Sequence, residues 1–185
     1  PPYIAPILRK EIESLGYKIT HEGTLDVALE GTKKDCMHLN LHLRTANKVL
    51  FLIKSFKAHN PDKLYQQLYQ VKWEDYLNED GYLCITSYVN NEKILNTQFA
   101  NVRVKDAIVD RLKDKTGKRP DSGPLRDQMV VFLHWMEDQV SIYLDTSGET
   151  ISKHGYRKIP GKAPMMESLA AATILASNWK PNQAF

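Results

Sequence analysis

Apolar residues at Ile4, Ile7, Leu8, Ile12 and Leu15 recur at helical spacing and stop at Gly16, which predicts a first helix. "YKITHEG" and "LDVALEG" then alternate apolar and polar positions, each closing on glycine, as the two arms of a hairpin would. From Thr32 to about Asn47 the period returns to that of a helix. Thr32 is placed as its N-cap, with Cys36, Met37 and Leu41 on its apolar side. The dense apolar run "KVLFLIKSF" follows as a strand. Helix, two strands, helix and strand make up most of a ferredoxin-like α+β plait, one initial strand short.

"AHNP" marks a turn, after which Leu64, Leu68 and Val71 with Tyr65 and Tyr69 predict another amphipathic helix, and "DGYLCITSYV" a strand. "ANVRVKDAIVDRLKDKTG" has the clearest helical period of the chain and is closed by Gly117; "TGKRPDSGP" is a basic loop. "QMVVFLHWM" and "VSIYLDTSG", parted by the acidic "EDQ", predict a second hairpin. The order helix, strand, helix, two strands indicates a second α/β unit beginning near residue 58. Pro164 opens a last helix in which, from Met165 to Ser177, only Glu167, Ser168, Thr173 and Ser177 are polar. Such a helix is expected to be buried on most sides by a partner outside these elements, and it is too short to cross a bilayer.

Composition narrows the class. Apolar residues are 42% and charged residues 25% of 185, an ordinary globular balance, and the net charge is only +3. The two cysteines, Cys36 and Cys84, stand far apart without a CxxC partner, so neither a disulfide framework nor a zinc knuckle is indicated and a cytoplasmic address is expected. There is no GxSxG, HExxH, Walker GxxxxGK[ST] or GxGxxG sequence. His38 and His42 have metal-ligand spacing but no third ligand beside them, so they read as ordinary helical histidines.

Charge distribution says more than net charge. Between residues 101 and 119, Arg103, Lys105, Arg111, Lys113, Lys115, Lys118 and Arg119 face only Asp106, Asp110 and Asp114. On a helical wheel Lys105 falls inside the apolar arc of Val104, Ala107, Ile108, Val109 and Leu112, where a lysine either snorkels past the core edge or is held for a ligand. A second cluster, Lys153, Arg157, Lys158 and Lys162, interleaves with His154 and Tyr156 and contains no acid from Thr150 to Pro164. Cations of this kind hold phosphates, and a ring among them can stack on an unpaired base. The candidate RNA contacts are therefore Arg103, Lys105, Lys118 and Arg119 on helix and loop, and Lys153, Tyr156, Arg157 and Lys158 on the second cluster.

In consecutive order, "NTQFANVRVKDAIVDRL", "RPDSG", "IYLDTSGETISKHGYR" and "KAPMMESLAAATILASNWKP" resemble the signatures of the THUMP-containing, S-adenosylmethionine-dependent RNA methyltransferases. Within that family the resemblance is to bacterial enzymes that methylate the exocyclic amine of a guanine in large-subunit rRNA. It covers the second half of the chain; the first ninety or so residues (about half) resemble the family only in element order. The resemblance implies a ferredoxin-like subdomain over residues 1–57, a THUMP domain over 58–150, and a basic linker and junction helix over 151–185. That helix would lead to a Rossmann-like catalytic domain, whose DPxCGSGT-type cofactor loop and NPPY-type motif do not occur here. The expected partners are large-subunit rRNA and that domain. S-adenosylmethionine would belong to the catalytic domain, no cofactor is expected on this chain, and no membrane is involved. A THUMP module of a DNA-adenine or tRNA-modifying enzyme and a free-standing adaptor are the alternatives.

Overall fold

The structure is a computed structural model that describes residues 3–78, 80–91, 96–153, 159, 161–177, 179–180 and 182–184. Tyr156, Arg157 and Lys158, with His154, lie outside the described residues. The chain divides into two units, residues 1–49 with 149–185, and residues 50–148.

In the first unit, α1 (Ala5–Ser14) is followed by a two-stranded antiparallel ribbon, β1 (Ile19–Glu22) and β2 (Val27–Leu29), and by α2 (Lys33–His42). Thr32 begins α2 through a reciprocal capping box. Its hydroxyl accepts from the Asp35 N–H, and the Asp35 carboxylate accepts from the Thr32 N–H at 2.7 Å. Late in the chain α5 (Glu167–Ala176) returns to pack beside α1. Ile12, Leu39 and Leu43 are among the buried apolar side chains.

The second unit is a five-stranded mixed sheet in the order β3 (Leu50–Lys57), β7 (Gln139–Asp145), β6 (Met129–Met136), β4 (Tyr82–Asn90), β5 (Asp121–Ser122). β4 and β6 run parallel, and the connection that parallel strands require is supplied by α4 (Thr97–Thr116). α3 (Pro61–Tyr69) packs beside α4. Asn60 caps α3 through Lys63 N–H at 2.8 Å, and Pro61 supplies a preset first-turn φ. At the far end of α4, Gly117 turns into the left-handed region with φ +80 and closes the helix on the Lys113 carbonyl. One apolar core joins Leu64 and Leu68 of α3, Val104, Ile108 and Leu112 of α4, and Leu133 and Trp135 of β6.

Three expectations are corrected. "KVLFLIKSF", assigned to a first domain ending at residue 57, contributes β3, which pairs antiparallel with β7 along its length and so belongs to the second unit. An isolated apolar strand does not carry the identity of its partner, which lies almost ninety residues on. On α2 the buried side is Cys36 with Leu39, whereas Met37 and Leu41 are exposed, and the helix stops at His42 rather than near Asn47. The basic loop after Gly117 also supplies the short strand β5, too brief to leave a period in the sequence.

Candidate nucleic-acid interface

Residues 101–119 place their cations at three depths. Arg103 is drawn inward. Its Nη2 donates to Asp62 at 2.6 Å, and its guanidinium lies 4.9 Å from the centre of the Tyr65 ring. Tyr65 in turn donates to Asp110 at 2.9 Å, and burial together with that bond pushes its phenol up to about 12. Arg111 holds Glu74 with two hydrogen bonds and also donates to the Tyr69 carbonyl. Both arginines thus fasten α4 to the segment of residues 61–76.

Lys105 is intermediate. Its side chain is 30% exposed and its ammonium lies 3.4 Å from Asp106, the geometry of a stem laid along the core edge with its head turned to a neighbouring acid. The outermost cations sit at the end of α4 and in the loop beyond it: Lys113, Lys115, Lys118 and Arg119 are all exposed. Lys118 reaches Asp80 at 3.3 Å, an exposed pair of small energetic weight. Lys118 and Arg119 line an open cleft of about 400 Å³ with Asp80, Pro120 and Asp121, so two acids balance two cations there. Gly117 lets the chain leave the helix, carrying Lys118 and Arg119 onto the loop.

The structure therefore brings Lys118 and Arg119 together and sets Arg103 and Lys105 apart in bonding state. Lys153, in a 3-10 turn at Ile151–Lys153, is exposed and paired with Glu149 at 2.7 Å in the other unit. A count of seven cations against three acids overstated the free positive charge of residues 101–119. The neutralising partners Asp62 and Glu74 lie 41 and 37 residues away in sequence, and no local pattern announces them. The His38 and His42 rings lie tilted against each other, 4.2 Å between centres; His38 Nδ1 is hydrogen-bonded with the Tyr17 hydroxyl and His42 Nδ1 with the His38 carbonyl. Among the described residues no group of three or more His, Cys, Asp or Glu could hold a metal ion. No helix among them is long and apolar enough to cross a membrane.

Comparison with known proteins assigns both halves. Residues 4–50 match the RlmL ferredoxin-like domain and residues 58–145 the THUMP domain. A protein of Syntrophotalea carbinolica named ribosomal RNA large subunit methyltransferase K/L is 34% identical over 97% of this chain, and one of the same name from Pseudomonas aeruginosa is 33% identical over 97%. The chain spans about a quarter of the length of these curated relatives, 25% in each. Its fold also superposes with a TM-score of 0.88 and 30% identity on a Listeria monocytogenes protein described as a predicted N6-adenine-specific DNA methylase, covering 100% of this chain and 48% of that one. With the two domain matches in order along its length, the chain belongs to the family of proteins that carry an RlmL-type ferredoxin-like domain followed by a THUMP domain.

Proposed function

We propose that this chain is the RNA-gripping region of an S-adenosylmethionine-dependent large-subunit rRNA guanine-N2 methyltransferase acting in the cytoplasm. The observation that carries the reading is the exposed cluster of Lys113, Lys115, Lys118 and Arg119 at the end of α4, in a chain similar to rRNA methyltransferases over 97% of its length. Such cations hold phosphates and fix the register of folded RNA while a base is presented elsewhere. Arg103 and Lys105 serve the same surface from behind it, Arg103 by holding α4 on α3. Lys153, Tyr156, Arg157 and Lys158 form a second contact.

The methyl donor belongs to a catalytic domain of the longer protein. The nine glycines of this chain are nowhere spaced as GxG, the spacing of a glycine-rich nucleotide cradle. The exposed Met165, Met166, Leu169 and Leu175 of the α5 segment suit packing against that domain.

Filter binding of the 185-residue chain to large-subunit rRNA hairpins across a salt series tests the reading. Affinity should fall steeply with salt, and Lys118→Glu combined with Arg119→Glu should flatten the slope by about one to two units. Absence of binding at low salt ends it. A second reading, action on DNA adenine, is favoured by the description of the Listeria relative. Tighter binding of a DNA duplex than of any rRNA hairpin would select it.

A further inference from the structure

The sheet of the second unit has a face that its helices do not cover. Val131, Leu133 and Trp135 of β6 are fully buried in the core shared with α3 and α4, so alternation turns Phe132, His134 and Met136 to the opposite side. The strand register then places Lys57, Gln139, Met136 and Asn90 in one row across that face, all four exposed. The adjoining row is Ser55, Ser141, His134 and Tyr88, in which the two serine hydroxyls are bonded at 2.8 Å. Neither row contains a carboxylate, and one contains a lysine. Of the acids on the adjoining β6–β7 turn, Asp138 is taken by His59 at 2.9 Å.

At the end of the second row the Tyr88 and His134 rings are stacked, 5.5 Å between centres and 14° between planes. Tyr88 is 51% exposed. β5 pairs only with Tyr82 and Leu83, so from Cys84 onward β4 is the border of the sheet among the described residues. One face of the Tyr88 ring is thus covered by His134 and the other looks outward past the sheet border.

The geometry points to Tyr88 as a stacking site for one unpaired RNA base, which would become the third ring of the His134–Tyr88 stack. A base has a π-face whatever its identity, and the two rows bear hydroxyls, amides and one ammonium but no carboxylate, the exposed Glu137 lying on the turn beyond Asn90. Asn90, two residues on and on the same side of β4, offers an amide donor and acceptor to a base edge. This deepens the RNA-binding reading and rests on it: the cations at the end of α4 hold phosphates, and the sheet face takes a single-stranded nucleotide.

The test uses the whole 185-residue chain, a single-stranded RNA of about ten nucleotides carrying 2-aminopurine, within the roughly 4–16 nucleotides that single-strand platforms span, and a blunt RNA duplex of about ten base pairs. Tyr88→Leu, which keeps apolar bulk but removes the ring, should weaken single-strand binding about 5- to 150-fold and leave duplex binding within about twofold. Tyr88→Phe should restore wild-type affinity, and 2-aminopurine fluorescence should be quenched by wild type and Tyr88→Phe but not by Tyr88→Leu. Unchanged single-strand affinity in Tyr88→Leu, while Lys118→Glu with Arg119→Glu still weakens RNA binding, overturns the stacking site and leaves the broader reading standing. No RNA binding by any form overturns both. Concentration-dependent self-association of wild type that Tyr88→Leu abolishes would make this face an interface between copies and also overturn it.

Discussion

The Arg111 guanidinium clasps the Glu74 carboxylate through two hydrogen bonds, Nε at 3.0 Å and Nη2 at 2.6 Å. This bidentate pair fastens the middle of α4 to the 3-10 turn at Trp73–Asp75, whose Trp73 is fully buried in the core. The same bond removes Arg111 from any ligand-binding surface.

Hydrogen bonding from Arg111, opposed by burial, holds Glu74 down to about 2. Because the folded value is depressed, the stabilisation is fully present above the ordinary carboxylate value and is lost as pH falls toward 2. Glu74→Gln should cost about 1–3 kcal/mol at pH 7. Urea midpoints of wild type and variant, compared from pH 7 to pH 2, should converge below about pH 4.5. A gap that persists unchanged at pH 2 would show that the pair does not carry the effect.

Tyr65 behaves in the opposite sense. Burial first, then the bond to Asp110, raises its phenol to about 12, so the folded state keeps the proton where the unfolded chain loses it near 10. The stabilisation is therefore complete below about pH 10 and disappears between about 10 and 12. Absorbance titration near 295 nm (about 4.2 eV) should show late-titrating tyrosine signal, to which Tyr17 and Tyr69 also contribute because their phenols are raised, and Tyr65→Phe should remove the part that appears near 12. Loss of the hydroxyl should cost about 1 kcal/mol at pH 7.

Glu11 organises the first unit by accepting hydrogen bonds from the backbone N–H groups of Arg44 and Thr45, at 2.9 and 3.1 Å, and from the Thr45 hydroxyl at 2.6 Å. Thr45 is buried, so Glu11→Ala leaves its donors without a partner. A loss of about 1–3 kcal/mol is expected, with amide exchange accelerated first at Arg44 and Thr45. Protection equal to wild type at those two amides would contradict this role.

Leu39 and Leu41 lie two positions apart on α2 with opposite fates, 4% and 77% exposed. Leu39→Ala should cost about 2–5 kcal/mol in denaturant unfolding, and Leu41→Ala about 0.5 kcal/mol or less. Equal costs would mean that α2 presents a different face to the core.

Much of the architecture was legible because it is written locally. The helical period of α4, the turn signal before α3 and the glycine after α4 are decided within a turn or two of chain, and the structure has helices there. The stretches "RPDSG" and "KAPMMESLAAATILASNWKP" carried the family, which the domain matches then identified. Cation count was equally visible, whereas the bonding state of each cation was not. Arg103 and Arg111 look no different in sequence from Lys113 and Arg119 until Asp62 and Glu74 are brought against them.

The sequence by itself determined the helices, the hairpins, the balance of charge and the family, since propensity, capping and periodicity act over a few residues. Tertiary structure alone decided that β3 joins β7, that α2 buries Leu39, and that Tyr88 stacks on His134 at the border of a sheet. Strand pairing and the orientation of a side chain depend on which distant surface closes over it, and that is a property of the packed chain.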